Sequence, residues 1–143
     1  MTVDFTVPGK PQGKARPRVT AHGTYTPAAT RDYEKLVRLA YLQARQRGLP
    51  RLLQGAIEAR ITAYFPAPKS AGKKQRALML SGKMPYTKKS DCDNIAKIIL
   101  DAINGVAYKD DSQISSLRVE KLYGEPPCVV VTLVEIERLR RSL

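Results

Sequence analysis

"SDCDNIAKIILDAINGVAYKDDSQI", residues 90–114, decides how this chain is read. Ile95, Ile98, Ile99, Ala102 and Ile103 recur at i, i+3, i+4, i+7 and i+8, the spacing that lines one face of an α-helix. The pattern predicts a helix over 92–104, stopped by Gly105, which tolerates the left-handed conformation that closes helices. Asp93, Lys97 and Asp101 then stack at i+4 intervals on one ridge, with Asn94 beside them. Asp91 would point toward the apolar side inside such a helix, so it is expected at the helix entrance. Asp110 and Asp111 follow in the next loop. Five of the 13 acidic residues thus fall within 21 positions, in a chain with 25 lysines and arginines and a formal charge of +12.

Each aspartate has an ordinary structural reading. Ser90 and Asp93 have capping-box spacing, and acids in a first turn complement the helix dipole. Asp93 and Lys97 are spaced for an i, i+4 ion pair, and Asp110 and Asp111 suit the start of a turn. Their grouping suggests a further role. A divalent ion such as Mg²⁺ takes hard oxygen ligands and binds through a few carboxylates plus substrate phosphates. Asp91 and Asp93 flank one entrance, and the loop after the helix is expected to double back and return Asp110 and Asp111 to it. Surrounding lysines and arginines would hold a phosphodiester backbone while the carboxylates hold metal at one phosphate. Lys97 would neutralise developing charge or position the nucleophile.

Outward from this stretch, residues 1–7 alternate as a first strand. "PGKPQGKARPRVTAHGTYTP" is broken by Pro and Gly and charged by Lys14, Arg16 and Arg18, and reads as a mobile basic arm with a hairpin turning at His22-Gly23. "TRDYEKLVRLAYLQARQRG" is a helix capped by Thr30, with Leu36, Val37, Ala40, Tyr41 and Ala44 facing a core and Gly48 and Pro50 ending it. Residues 55–65 alternate as a half-buried strand. Ser70 is expected to cap a short helix through about Leu80 carrying Lys73, Lys74 and Arg76, and Lys88 and Lys89 stand just before the aspartates. "SSLRVEKLY" and "CVVVTLVEI" flank "GEPP" as an antiparallel hairpin, and the tail "ERLRRSL" is short and basic. This order implies an α+β fold, a mixed α/β sheet packed by helices, in one domain spanning 1–143.

The totals exclude other classes. No apolar run approaches the ~20 residues that span a bilayer, and the first residues carry an acid, so neither membrane span nor signal peptide is expected and the cytoplasm is the default compartment. Cys92 and Cys128 stand 36 apart without a second Cys or His nearby, which is neither a zinc nor a disulfide pattern. His22 is the only histidine, so no triad with a histidine base can be assembled. The positive charge makes nucleic acid the leading partner, with Lys14, Arg16, Arg18, Lys73, Lys74, Arg76, Lys88 and Lys89 as expected phosphate contacts.

The stretch "DCDNIAKIILDAINGVAYKDDSQI" resembles the RusA family of phage and prophage Holliday junction resolvases. The family's D-x-D-N-x-x-K motif, its Asp-Ala pair and Gly, and its Asp-Asp-x-x-[IV] element are matched at Asp91, Asp93, Asn94, Lys97, Asp101, Ala102, Gly105, Asp110, Asp111 and Ile114. "GKARPR", "YTP" and "YE" resemble the longer branch of that family, and Cys92 stands where an apolar or Pro-like residue is expected. The resemblance implies a small mixed α/β fold and a homodimeric endonuclease dependent on Mg²⁺, with Mn²⁺ as a substitute. It implies paired symmetric nicks across a four-way DNA junction, in recombination and repair. It also implies catalytic roles for Asp91, Asp93, Asp111 and Lys97, with metal held by Asp91, Asp93 and Asp111 and with Asp110 as the ambiguous ligand. Two alternatives stand beside it: a non-catalytic nucleic-acid-binding module whose aspartates only cap helices, and a metal-dependent nuclease for flaps or other branched substrates.

Overall fold

Period-two alternation in four segments builds the central sheet, as a computed structural model of the chain describes it for residues 1–45 and 52–136. The strands are β1 (Thr2–Pro8), β4 (Ile57–Phe65), β5 (Ile114–Tyr123) and β6 (Cys128–Glu135), in the order β1-β6-β4-β5. Between β1 and β4 come a separate two-stranded hairpin, β2 (Arg18–Thr20) with β3 (Gly23–Tyr25), and the helix α1 (Ala28–Ala44). Helices α2 (Lys73–Leu80) and α3 (Cys92–Ala102) lie between β4 and β5, and a one-turn 3₁₀ helix (Asp111–Gln113) leads into β5. This is the expected α+β architecture with a mixed sheet.

One side of the sheet is covered. Val3, Phe5 and Val7, Ile57, Ala59, Ile61, Ala63 and Phe65, and Val129, Val131 and Leu133 all turn into a core shared with Tyr33, Val37 and Tyr41 of α1 and Ile95, Ile98 and Ile99 of α3. The isoleucine stripe of α3 is fully buried, each side chain contributing about 1.5–3 kcal/mol. That burial anchors the helix that carries the candidate site.

Four local expectations need correction. "GEPP" does not close a hairpin: β4 lies between β5 and β6, pairing parallel with the first and antiparallel with the second. Strands two places apart are roughly 10 Å from each other, so the link over 124–127 spans an intervening strand and closes no tight turn. The link instead crosses the end of β4, where the Gly124 N–H donates to the Phe65 carbonyl at 2.9 Å and a Cβ on Gly124 would sit 2.7 Å from the Tyr64 ring. Thr30 does not cap α1; the helix begins at Ala28 after Pro27, whose φ of −55° already suits a helix start, and Thr30 is buried in the first turn. Ser70 does not cap α2, whose N-cap is Gly72. The arm is not loose, because Gly9 bonds the Pro127 carbonyl, Pro11 is buried, and the Lys14 N–H donates to the Asn94 carbonyl at 3.0 Å. Gly48, Pro50 and the basic tail fall outside the described residues.

Candidate active site

The helix entrance is fixed from the loop before it. Tyr86 stacks on Phe65 with ring centroids 3.8 Å apart and meets Tyr123 edge-on at 5.2 Å. Its N–H donates to the Lys121 carbonyl at 3.1 Å. Lys121 then reaches back, its Nζ donating to the Lys88 carbonyl at 2.7 Å and the Ser90 carbonyl at 2.8 Å. Lys88 and Lys89 are therefore held by their backbone while their side chains stay exposed. Lys121 was not legible as a site residue, since a lysine in an alternating strand gives no such signal.

Asp91 is the N-cap of α3, yet its side chain makes no capping bond, and it is exposed. An N-cap aspartate ordinarily accepts from the first turn, so the free carboxylate is available for something else. Asp93 and Lys97 are also exposed, and among the described residues they form no ion pair with each other or with any other side chain. The capping box expected at Ser90 and Asp93 is not formed.

Asp101 behaves differently. Lys14 Nζ lies 3.4 Å from Asp101 Oδ2 and 2.9 Å from Glu34 Oε2, joining the arm to α3 and α1. Burial alone would lower the Lys14 pKa, but Glu34 and Asp101 outweigh it and hold the ammonium above its ordinary value. Lys14, expected among the phosphate contacts, has its charge engaged inside the fold. Arg76 is likewise paired, with Glu125. Arg16, Arg18, Lys73, Lys74, Lys88 and Lys89 are exposed.

The second carboxylate group follows Tyr108. Asp110 caps the 3₁₀ turn, its Oδ2 accepting from the Ser112 N–H at 3.2 Å, and the Ser112 side chain first, then this backbone bond, hold its carboxyl below the usual range. Gln113 completes the capping box, accepting from the Lys109 and Asp110 N–H groups at 2.9 and 3.2 Å. Its Nε2 donates to the Leu53 and Gly55 carbonyls, tying the turn to the start of β4. Gln113 was missed in the sequence, although the D-x-x-Q spacing carries its signal. Asp111 is exposed and, among the described residues, its side chain has no hydrogen-bonding or ionic partner.

The loop does not return these residues to the helix entrance. Cys92 Sγ lies 4.0 Å from the Val119 carbonyl and Lys121 holds Ser90, so α3 starts over the far half of β5. The 3₁₀ turn lies before the first residue of that strand. Helix and strand run in opposite directions, and the ten residues from Asp91 to Asp101 alone rise about 15 Å. Among the described residues no three His, Cys, Asp or Glu side chains are grouped to hold a metal. One chain thus offers Asp91 and Asp93 at one end of α3, and Asp110 and Asp111 at the other.

The uncovered sheet face differs from this basic surface. Its charges answer one another: Arg60 pairs with Glu58 at 2.8 Å, Arg118 with Glu120 at 3.1 Å, and Asp4 accepts from Thr132 at 2.6 Å. No helix among the described residues is long and apolar enough to cross a membrane.

Comparison with known proteins gives these features a place. A Bacillus subtilis (strain 168) protein named only as the uncharacterized protein YqaN is 34% identical over 140 residues, covering 94% of this chain and 96% of its own. The family model for endodeoxyribonuclease RusA matches residues 8–134, from the last residue of β1 through most of β6, with all five aspartates and the arm inside the match. The chain belongs to the RusA endodeoxyribonuclease family.

Proposed function

We propose that the protein is a Mg²⁺-dependent endonuclease that resolves four-way DNA junctions by paired symmetric nicks, in recombination and repair. The observation that carries this reading is the sorting of the five aspartates. Asp101 is ion-paired and Asp110 is a cap, whereas Asp91, Asp93 and Asp111 are exposed and unengaged among the described residues. Those three, with Lys97, are the family-motif positions to which the resemblance assigns chemistry.

The donor chemistry fits a hard divalent ion, since carboxylate oxygens are what Mg²⁺ prefers, usually one or two together with substrate phosphates. Asp91 and Asp93 would hold it, and Mn²⁺ would substitute. When bound, the ion supplies Lewis-acid stabilisation of the phosphate and a more acidic water. The third carboxylate is best supplied by a second copy. A twofold homodimer that lays two α3 helices antiparallel would set Asp111 of one copy beside Asp91 and Asp93 of the other, and would make two equivalent sites. Lys97, on the exposed ridge between them, would offset negative charge building on the phosphate. Asp110 would hold the turn that aims Asp111. Arg16, Arg18, Lys73, Lys74, Lys88 and Lys89 would hold the flanking backbone without taking part in chemistry.

Purified protein, Mg²⁺ and an end-labelled four-way junction test this. Symmetric nicks are expected, lost in Asp93→Asn while junction binding persists. Binding without cleavage by the unsubstituted protein would leave a nucleic-acid-binding module. Flaps cut as readily as junctions at equal salt would make it a broader branched-DNA nuclease.

A further inference from the structure

The β2–β3 hairpin exposes every strand residue, and neither of its large apolar side chains enters the core: Val19 keeps 80% of its surface in solvent and Tyr25 48%. A lone two-stranded hairpin is marginally stable, so its shape needs local support. Thr20 provides it, its Oγ1 donating to the Gly23 carbonyl at 3.0 Å and accepting from the His22 N–H at 3.2 Å. Gly23 takes the φ of +119° that closes the turn. The arm that leads to the hairpin is fixed as well. A Cβ on Gly13 would sit 2.8 Å from the Ser90 side chain and 3.2 Å from Asn94 Cβ, so the arm runs directly against the entrance of α3. Arg18 follows Lys14 by four positions, at most about 14 Å of extended chain. At 3.4 Å per nucleotide along a strand, the hairpin begins within roughly four nucleotides of a phosphate held at Asp91 and Asp93.

Its charge names the occupant. No acidic residue occurs between Asp4 and Asp32, while Lys10, Arg16 and Arg18 lie in that span. Arg18 is paired across the hairpin with Tyr25, and Val19 with Thr24, so Arg18 and Tyr25 share one face and Val19 takes the other. A cation beside an aromatic ring suits a phosphate flanking an unstacked base, and an apolar side chain on the opposite face suits a wedge. Duplex DNA hides its base faces in the stack, whereas a branch point uncovers them. We infer that the β2–β3 hairpin is the branch-point reader, with Tyr25 stacking on a base, Val19 wedging beside it, and Arg16 and Arg18 holding the adjoining phosphates. The inference rests on the branched-DNA nuclease reading above.

The test compares the unsubstituted protein with a Val19→Ser/Tyr25→Ser variant, in EDTA, on a four-way junction and a linear duplex of matched sequence. The junction carries 2-aminopurine beside the branch. The unsubstituted protein is expected to prefer the junction and to raise the 2-aminopurine fluorescence. In the variant the junction-to-duplex affinity ratio should fall about tenfold or more, and the fluorescence rise should vanish. Tyr25→Trp, which keeps a stacking surface, should retain both signals. An unchanged ratio and fluorescence in the double variant would overturn the inference. So would altered sedimentation with an unchanged ratio, which would assign the patch to a second copy of the chain. If the unsubstituted protein neither prefers nor cuts junctions, the nuclease reading itself fails and the inference falls with it.

Discussion

Asp91 and Asp111 stand at opposite ends of α3: the first is its N-cap, and the second opens the 3₁₀ turn beyond its C-terminal end. On the proposed function a site that needs both would be divided between two copies, and mixing experiments can detect this. Asp93→Asn and Asp111→Asn, each alone, should lose cleavage by about a hundredfold or more. In a mixed dimer one site carries both substitutions and the other carries neither. After subunit exchange roughly half the dimers are mixed, so about a quarter of the normal sites return. The regained product should be single nicks, since a mixed dimer has one working site. No regained nicking in a preparation shown to exchange subunits would place all the carboxylates of a site in one copy.

Lys88 and Lys89 present exposed ammonium groups, unpaired among the described residues, on a backbone held by Lys121, which suits phosphate binding. Each phosphate contact contributes about 0.9 to the slope of log affinity against log salt. Lys88→Ala/Lys89→Ala should therefore weaken DNA binding and flatten that slope by roughly 1.8. Arg76→Ala is the contrasting case, because Arg76 is paired with Glu125, and its slope should change much less. Equal slopes for the Lys88/Lys89 variant and the unsubstituted protein would remove both lysines from the interface.

The helix that carries the site was readable because its isoleucines repeat at helical spacing and all face the core. The strands were readable for the same reason, in period two. Strand order was not: "SSLRVEKLY", "GEPP" and "CVVVTLVEI" look like neighbours, and nothing local reveals that β4 inserts between them. The motif marked Asp91, Asp93, Lys97 and Asp111, but their distribution over the two ends of α3 depends on how that helix lies against β5, which is a tertiary property. Lys14 shows the same limit. Its composition matches a phosphate-binding arm, and only the fold brings Glu34 and Asp101 to it.

Lys121 sets the approach to Asp91 by donating to the Lys88 and Ser90 carbonyls, with its ammonium 5.5 Å from the Tyr86 ring centroid. It contacts neither carboxylate of the entrance by hydrogen bond or ion pair among the described residues, so it acts as a positioning residue. Lys121→Met should leave duplex affinity within about threefold, since its charge faces carbonyls, yet lower the cleavage rate about tenfold or more through a misplaced Asp91. The salt slope should stay unchanged, in contrast to the Lys88/Lys89 variant. A drop in affinity with an unchanged single-turnover rate would make Lys121 a phosphate contact instead.

Tyr108 links the site to stability at high pH. Its ring is fully buried and its hydroxyl donates to the Leu100 carbonyl at 2.6 Å. Burial first, then the negative charges of Asp111, Asp101 and Asp110, push its pKa far above the ordinary tyrosine value. Tyr33 is pushed up to about 12, by burial first and then by Cys128. Above pH 10 the unfolded chain releases these protons while the folded one retains them, so the folded state binds more protons and stability must fall as pH rises. Lys14, whose pKa is also raised, adds to the same trend. Urea unfolding should therefore give a plateau from pH 7 to 9 and a decline from pH 10 upward. Asp111→Asn removes the carboxylate that acts most strongly of the three on Tyr108. It lowers the folded pKa, which steepens no part of the curve but ends the decline at a lower pH. Tyr108→Phe should cost about 1 kcal/mol at pH 7 through the lost hydrogen bond and make the decline shallower. A decline identical in the unsubstituted protein and in Tyr108→Phe would show that this buried hydroxyl does not govern the alkaline limb.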